Sequence, residues 1–150
     1  MKSLRFGLKA LEEKAKIEVR LKSRFALVPS EKEIDTTERV KKSYEYIYMG
    51  TNSAPAYIIK FSIADFKETG TITTSYNYLD TVLYDSKNGY LYFATWQSPP
   101  AILKVKIADF TIVDAIILDG YQYITDGVID VDAGLAYFAS GFDIIKFDLV

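Results

Sequence analysis

The segment from Tyr46 to Phe66 reads YIYMGTNSAPAYIIKFSIADF, and the segment from Tyr90 to Phe110 reads YLYFATWQSPPAILKVKIADF. The second follows the first at an offset of 44 positions, and most of the aligned residues are identical or conservative. The residues of the first segment that are identical to their counterparts in the second are Tyr46, Tyr48, Thr51, Pro55, Ile58, Lys60, Ile63, Ala64, Asp65 and Phe66. A fixed period of about 20 to 50 residues is the signature of a repeat architecture. We therefore expect copies of one structural unit.

A third copy follows the first two. The segment from Leu135, LAYFASGFDIIKFDLV, matches the segment from Tyr90 after a shortened loop. The residues just upstream also match, because LDTVLYDSKNG (Leu79 to Gly89) aligns with ITDGVIDVDAG (Ile124 to Gly134). The repeat therefore extends through the whole unit.

Each unit has the pattern of four short strands. The predicted strands of the second copy are Thr81 to Asp85, Tyr90 to Thr95, Ala101 to Ile107 and Thr111 to Leu118. They are rich in the branched and aromatic residues that suit a pleated surface, and Ser-Lys-Asn-Gly and Asp-Gly sequences separate or end them. Four antiparallel strands in about 44 residues is the size of a β-propeller blade.

This order of strands resembles the WD-repeat and related β-propeller families. The resemblance covers residues 46 to 150, while the Gly-His and Trp-Asp signatures of true WD repeats are absent. It implies the blade topology and not the partners of that family. The expected fold is all-β with a short N-terminal helix and about three four-stranded antiparallel propeller-like blades.

Residues 1 to 45 are predicted to form a separate basic segment with a helix and a strand. Leu4, Leu8 and Leu11 have the spacing of an amphipathic helix over residues 3 to 15. From Ile17 to Leu27, apolar and charged residues alternate as in a half-buried strand that ends before Pro29. We expect this strand to complete the third blade as its outer edge. Residues 33 to 45 are charged, so the first copy is expected to lack an inner strand.

One chain then supplies at most three blades, whereas propellers have about four to eight. Assembly of two chains into a six-bladed ring is the preferred solution, since a closed ring also protects exposed strand edges. Two alternatives stay open at this point. In the first alternative, the sequence is a piece of a longer propeller. In the second, it forms an open assembly of sheets.

The net charge of −2 conceals an asymmetry. Residues 1 to 45 have an excess of basic side chains and residues 46 to 150 an excess of acidic ones. The basic end suggests an anionic partner, but interleaved glutamates favour a solvated helix face, and no nucleic acid is expected. No apolar run approaches the roughly 20 residues of a membrane span. The N-terminus lacks a classical signal-peptide pattern, which favours an intracellular or virion-associated protein.

The composition excludes several chemistries, because the chain has no Cys and no His. Thiolate nucleophiles, Cys-ligated zinc and Ser-His arrangements are therefore impossible. We expect no enzyme activity, no cofactor and no metal. The string Asp126, Asp130 and Asp132 before Gly134 is compatible with a calcium loop, but its alignment with the DSKNG turn favours an ordinary turn.

A candidate binding surface follows from the blade topology. Loops between the second and third strands of a blade lie on the same rim as the loops between blades. The residues expected there are Asn52, Tyr57, Tyr76, Tyr78, Trp96, Gln97, Tyr121 and Tyr123. Such side chains stack on sugar rings or anchor protein contacts. The alternative is that these tyrosines pack between neighbouring blades.

The preferred function is a non-enzymatic structural or assembly protein in which the repeats mediate self-association. A low content of Asn, Gln and Met is typical of hyperthermophilic proteins, which suggests a virion or surface component from a hot environment. The alternative is a recognition module that binds a glycan or a peptide through the aromatic loops.

Overall fold

The computed structural model describes residues 25 to 29 and 44 to 149, and these ranges contain eleven β-strands and no helix. The strands are β1 (Phe25–Pro29), β2 (Tyr44–Gly50), β3 (Tyr57–Ser62), β4 (Lys67–Thr73), β5 (Leu79–Asp85), β6 (Tyr90–Thr95), β7 (Ala101–Lys106), β8 (Thr111–Ile117), β9 (Ile124–Asp130), β10 (Leu135–Ser140) and β11 (Asp143–Asp148). The predicted helix over residues 3 to 15 lies outside the described residues. In the described ranges, no helix is long and apolar enough to cross a membrane.

The strands form three antiparallel sheets in the order of the repeats. The first sheet has the order β1-β2-β3-β4, the second β5-β6-β7-β8 and the third β9-β10-β11. The predicted all-β fold and the strands of the second copy are confirmed, with ends that differ by one or two residues. Each sheet is a meander of consecutive antiparallel strands, and short connections join the neighbours except β1 and β2, which residues 30 to 43 separate.

The expected role of the N-terminal strand is wrong for the residues that the structure describes. Phe25–Pro29 does not lie at the outer edge of the third sheet; it pairs with β2 and is the first strand of the first sheet. The expectation that the first copy lacks an inner strand is therefore also wrong. That strand comes from beyond the charged residues 33 to 45, while the remaining predicted strand residues, 17 to 24, lie outside the described part.

The three sheets lie side by side, with their first strands adjacent. β5 contacts both β1 and β9, so the second sheet lies between the other two. Its two faces are buried in different clusters. Leu91, Phe93 and Leu103 pack with the first sheet, whereas Tyr92 and Ile102 pack with the third. The strict alternation of side chains along a strand explains why neighbouring residues belong to different cores.

The turns repeat as closely as the strands. The backbone at Phe66 and Phe110 has φ values of 53° and 52°, and that at Gly89 and Gly134 has values of 73° and 69°. These values lie in the left-handed region, which glycine adopts without strain and a phenylalanine rarely adopts. The repeated sequence IADF therefore marks a repeated backbone turn after the third strand.

Candidate functional site on the loop face

The loops that follow β2, β4 and β6 lie next to one another. The N–H of Tyr78 donates a hydrogen bond of 2.9 Å to the carbonyl oxygen of Ser53, and the N–H of Trp96 donates one of 2.7 Å to the carbonyl oxygen of Tyr78. The loop between the first two sheets is thus hydrogen-bonded to the loop after β2 of the first sheet and to the loop after β6 of the second. We call the end of the molecule formed by residues 51 to 56, 74 to 78, 96 to 100, 118 to 123 and 141 to 142 the loop face.

Three aromatic rings of the loop face are in contact. The Trp96 ring lies 6.4 Å from the Tyr78 ring in an edge-on geometry of 80°, and 5.2 Å from the Tyr123 ring at 39°. Trp96 is 46% exposed, and both tyrosines are more than one third exposed. We call these three side chains the aromatic triad. It joins the loop within the second sheet to the loops on either side.

Gln97 connects the loops that carry Tyr78 and Trp96. Its Oε1 accepts a hydrogen bond of 3.0 Å from the N–H of Asn77, and its Nε2 donates one of 3.3 Å to the carbonyl oxygen of Pro99. The side chain amide therefore fixes the position of the neighbouring loop. Asn52, the other polar residue predicted for this site, is exposed.

The remaining predicted site residues do not join the triad. Tyr76 is partly buried and packs against the core between the first two sheets, as the alternative interpretation expected. Tyr57 and Tyr121 are each more than one third exposed, and within the described part of the chain neither has a ring contact with the triad. The loop face thus separates into an exposed triad and supporting or isolated side chains.

Sequence reasoning missed Phe142 as a member of this face. It lies in the two-residue connection between β10 and β11, which takes the place of the loops at 51 to 56 and 96 to 100, and its side chain is fully exposed. The signal was present in the repeat alignment. The shortened loop of the third copy places an aromatic residue where the second copy has Trp96 and its neighbours.

Lysine side chains lie over tyrosine rings at matching positions of the first two sheets, a contact that the sequence did not predict. The Lys60 Nζ lies 3.9 Å from the centre of the Tyr46 ring, and the Lys104 Nζ lies 4.3 Å from that of Tyr90. The lysines and tyrosines are identical in the two copies at the offset of 44 positions. Such cation–π contacts stabilise a lysine whose stem lies along an apolar surface.

Two buried tyrosines lie in the interfaces between sheets. Burial raises the pKa of Tyr48 to about 12, with smaller contributions from nearby Tyr46, Tyr84 and Glu45. Burial likewise raises the pKa of Tyr92 to about 12, assisted by Asp85 and Tyr90. A tyrosine with a raised pKa is a poorer source of phenolate. Both hydroxyls are therefore protonated at neutral pH, within packed interfaces.

Among the acidic residues singled out in the sequence, Asp126 lies within β9, Asp85 and Asp130 end β5 and β9, and Asp132 lies in the turn that follows. Asp85 is buried, and its Oδ1 accepts hydrogen bonds of 3.1 Å from the N–H groups of Lys87 and Asn88. Asp130, at the matching position, accepts one of 2.9 Å from the N–H of Ala133. Within the described ranges, no group of three or more acidic side chains is arranged to hold a metal ion.

Asp109 follows the third strand of the second sheet. The Thr111 hydroxyl donates a hydrogen bond of 2.8 Å to its Oδ1, and Lys106 lies 3.3 Å from Oδ2. The Thr111 hydrogen bond, followed by that from Lys106, lowers the pKa of Asp109. This residue also has a turn-forming role, which agrees with its occurrence in the repeated IADF sequence.

A scan against protein-family models finds no match, and a search of curated proteins finds no significant similarity.

Proposed function

We propose that this chain is a non-enzymatic structural protein whose repeats associate with other copies of the same chain. The observation that carries the proposal is the exposure of large apolar side chains on the outer sheets. Ile144 is 78% exposed and Val128 is 65% exposed on the third sheet, and Phe66 is 75% exposed in the turn between β3 and β4 of the first. Val128 and Ile144 both lie on the third sheet, on the two strands that pair with β10, and exposed apolar surface on a sheet is typical of interaction surfaces.

The proposal includes propeller-like closure. Three sheets with adjacent first strands support this proposal as candidate blades, although the third sheet has three described strands instead of the expected four. Two chains then supply a six-bladed ring, which lies within the range of about four to eight blades. Closure covers the outer faces and removes the open ends of the stack. A virion or another surface structure is the setting that we propose for such an assembly.

The proposed lack of enzymatic activity has support in the sequence. Without Cys and His, the chain has neither the commonest nucleophile activators nor the commonest general base. Tyr48 and Tyr92 have raised pKa values and lie between sheets, so they are poor alternatives.

The mass of the purified full chain in solution tests self-association. Light scattering during size-exclusion chromatography, with native mass spectrometry as a second method, is expected to give a multiple of the 17.0 kDa chain mass. The measurement should cover concentrations from about 0.1 to 100 μM, since weak association is lost on dilution. A stable monomer throughout this range would contradict the proposal.

A recognition module is the second candidate, and the aromatic triad favours it. Aromatic rings that are partly exposed and held by their neighbours bind sugar rings or peptide side chains at low entropic cost. The hydrogen bonds that link the loops of Tyr78 and Trp96 support such a use because they fix the backbone that carries these rings.

Screening on a glycan array and a peptide library tests this second candidate. If a ligand is found, Trp96→Ala is expected to weaken its binding at least about tenfold, which corresponds to about 1.4 kcal/mol. Val113→Ala, an exposed position on β8, serves as the control. Equal binding by the Trp96→Ala variant would exclude the triad as the binding site.

A further inference from the structure

The outer face of the third sheet has the same arrangement of side chains as a face that is already buried. Cross-strand rows on the two faces are Leu83, Tyr92 and Lys104 in the second sheet and Val128, Tyr137 and Lys146 in the third. Tyr92 packs against the third sheet, whereas Val128 and Lys146 are exposed. The face of the second sheet that packs against the third sheet is thus repeated on the outer face of the third sheet. There it has no partner among the described residues.

The opposite end of the stack carries the complementary surface. On the first sheet, Ile47 pairs with Phe61 and Met49 pairs with Ile59. The corresponding pairs of the third sheet are Ala136 with Phe147 and Phe138 with Ile145. The pairs of the third sheet pack against the second sheet. By the alternation of side chains along a strand, Ile47 and Phe61 face away from the core shared by Tyr48 and Ile58.

The internal interface shows how the two surfaces fit. The Tyr92 ring lies 5.8 Å from the Phe147 ring, and its hydroxyl donates a hydrogen bond of 3.0 Å to the carbonyl oxygen of Leu149. Between the first two sheets, the Tyr48 ring lies 5.7 Å from the Phe110 ring. In both interfaces, a tyrosine of the second strand of one sheet contacts a phenylalanine on or after the third strand of the next.

The residues that follow the third strands hold equivalent backbone positions; Leu149 accepts from the Tyr92 hydroxyl, whereas the Tyr48 hydroxyl has no described partner. The N–H groups of Ile63, Ile107 and Leu149 donate hydrogen bonds of 2.9, 3.0 and 3.0 Å to the carbonyl oxygens of Glu45, Gly89 and Gly134. Ile63 of the first sheet therefore occupies the position that Leu149 occupies in the third. Phe61 and Phe66 lie beside it with their rings 5.9 Å apart.

We propose that the outer face of the third sheet of one copy packs on the outer face of the first sheet of a second copy. Tyr137 then lies on Phe61 and Phe66 of the second copy, and its hydroxyl donates to the carbonyl oxygen of Ile63 of that copy. Lys146 lies beside Tyr137 as Lys104 lies beside Tyr92. This inference rests on the proposed function and specifies the two surfaces that meet.

The occupant is a second copy because the contact continues an interface that the chain already contains twice. The two outer faces cannot meet within one chain, since the second sheet lies between them. Two copies arranged around a two-fold axis use both faces of each copy, which leaves no outer face open. A head-to-tail contact that closes in this way gives a discrete ring rather than a filament.

Cross-linking between engineered cysteines tests the proposed contact. Lys104 and Asp148 line one small cleft between the second and third sheets. Their counterparts are Lys146 and Ser62, because Ser62 shares its cross-strand position with Asp148. The natural chain has no Cys, so the introduced thiols are the only ones. Lys146→Cys and Ser62→Cys chains are co-expressed and treated with a short thiol-specific cross-linker.

The co-expressed variants are expected to give a covalent dimer, whereas each variant alone is expected to give none. The double variant Lys104→Cys/Asp148→Cys is the control, since it should be cross-linked within one chain by the same reagent. A covalent dimer from a single variant would show that identical faces meet and would overturn the inference, leaving self-association intact. Multimeric mass without any cross-linking of the mixed variants would do the same. A monomeric mass would overturn both proposals.

Discussion

The two buried tyrosines of the sheet interfaces have different surroundings although they occupy the same position of the repeat. The Tyr92 hydroxyl donates to the carbonyl oxygen of Leu149, whereas the buried Tyr48 hydroxyl has no hydrogen-bond partner in the described part of the chain. A net hydrogen bond contributes about 0.5 to 1.5 kcal/mol, and an unpaired buried group is unfavourable. The tyrosine hydroxyl therefore stabilises the interface between the second and third sheets and weakens the one between the first and second.

Replacing these residues by phenylalanine should separate the two cases. Tyr92→Phe is expected to lower the free energy of unfolding by about 1 kcal/mol, because it leaves a buried carbonyl oxygen unpaired. Tyr48→Phe is expected to change it by less than about 0.5 kcal/mol or to raise it. Urea unfolding followed by circular dichroism measures both. A larger loss for Tyr48→Phe than for Tyr92→Phe would contradict this account.

The raised tyrosine pKa values predict a loss of stability in strong base. Tyr48 and Tyr92 ionise near pH 12 in the folded chain, against an ordinary value of 10.0. Above pH 10 the unfolded chain releases these protons more readily than the folded chain, so the stability is full below pH 10 and is lost as the pH rises towards about 12. Unfolding measured across this range should show the decline. The Tyr92→Phe variant should show a smaller pH-dependent loss than the natural chain, and an equal loss would contradict the assignment.

At the scale of the elements, the repeat could be predicted because identical side chains meet identical packing requirements. Tyr46 and Tyr90, and Lys60 and Lys104, lie at matching cross-strand positions in the first two sheets. The first strand of the first sheet was misplaced for a physical reason. Residues 30 to 43 separate β1 from β2, whereas the short segment from Ser86 to Gly89 connects β5 and β6. An alignment at a fixed offset cannot find a strand across a connection of different length.

The loop face was partly predictable. The prediction that the loops carrying Tyr78, Trp96 and Tyr123 lie near one another agrees with the ring contacts between these residues. The inward position of Tyr76 could not be read from its sequence. Tyr78 has a φ of 55°, so alternation does not continue through this loop, and two tyrosines that are two residues apart have different exposure. Such a backbone conformation is decided by the hydrogen bonds between loops.

The turn between β5 and β6 offers a test of an element. Asp85 accepts two backbone hydrogen bonds as well as one of 2.8 Å from the Asn88 Nδ2, while Asp130 accepts one from the N–H of Ala133 at the exposed counterpart. Asp85→Ala is expected to destabilise the chain by about 2 kcal/mol or more, because it leaves three hydrogen-bond donors without their acceptor, and each net hydrogen bond contributes about 0.5 to 1.5 kcal/mol.

Asp130→Ala is the matched control for this turn and is expected to lower the stability by about 1 kcal/mol or less, since its surroundings are solvated. Thermal and urea unfolding of the two variants give the comparison. If the two replacements were equally harmful, burial of Asp85 would not be the reason for its importance.

At the scale of the whole molecule, the three sheets form a stack with two different ends. Each internal interface buries a tyrosine of one sheet against apolar side chains of the next. Among the described residues, the outer faces of the first and third sheets carry the same types of side chain, which is a direct result of repetition. A repeat protein must cap its ends or join them, because each terminal unit otherwise exposes the surface that its neighbours bury.

Joining the ends makes stability depend on protein concentration, and this gives the last prediction. If two copies share their outer faces, unfolding releases two chains, so the unfolding temperature should rise by about 2 °C for each tenfold increase in concentration.

Ile144→Glu places a charge on the outer face of the third sheet, where Ile144 is 78% exposed in the single chain. It is expected to abolish the concentration dependence while leaving the β-sheet circular dichroism spectrum unchanged. Ile117→Glu, on the outermost strand of the second sheet, should retain the dependence. Differential scanning calorimetry over two decades of concentration distinguishes the variants, and an unfolding temperature of the natural chain that stays constant would argue against joined ends.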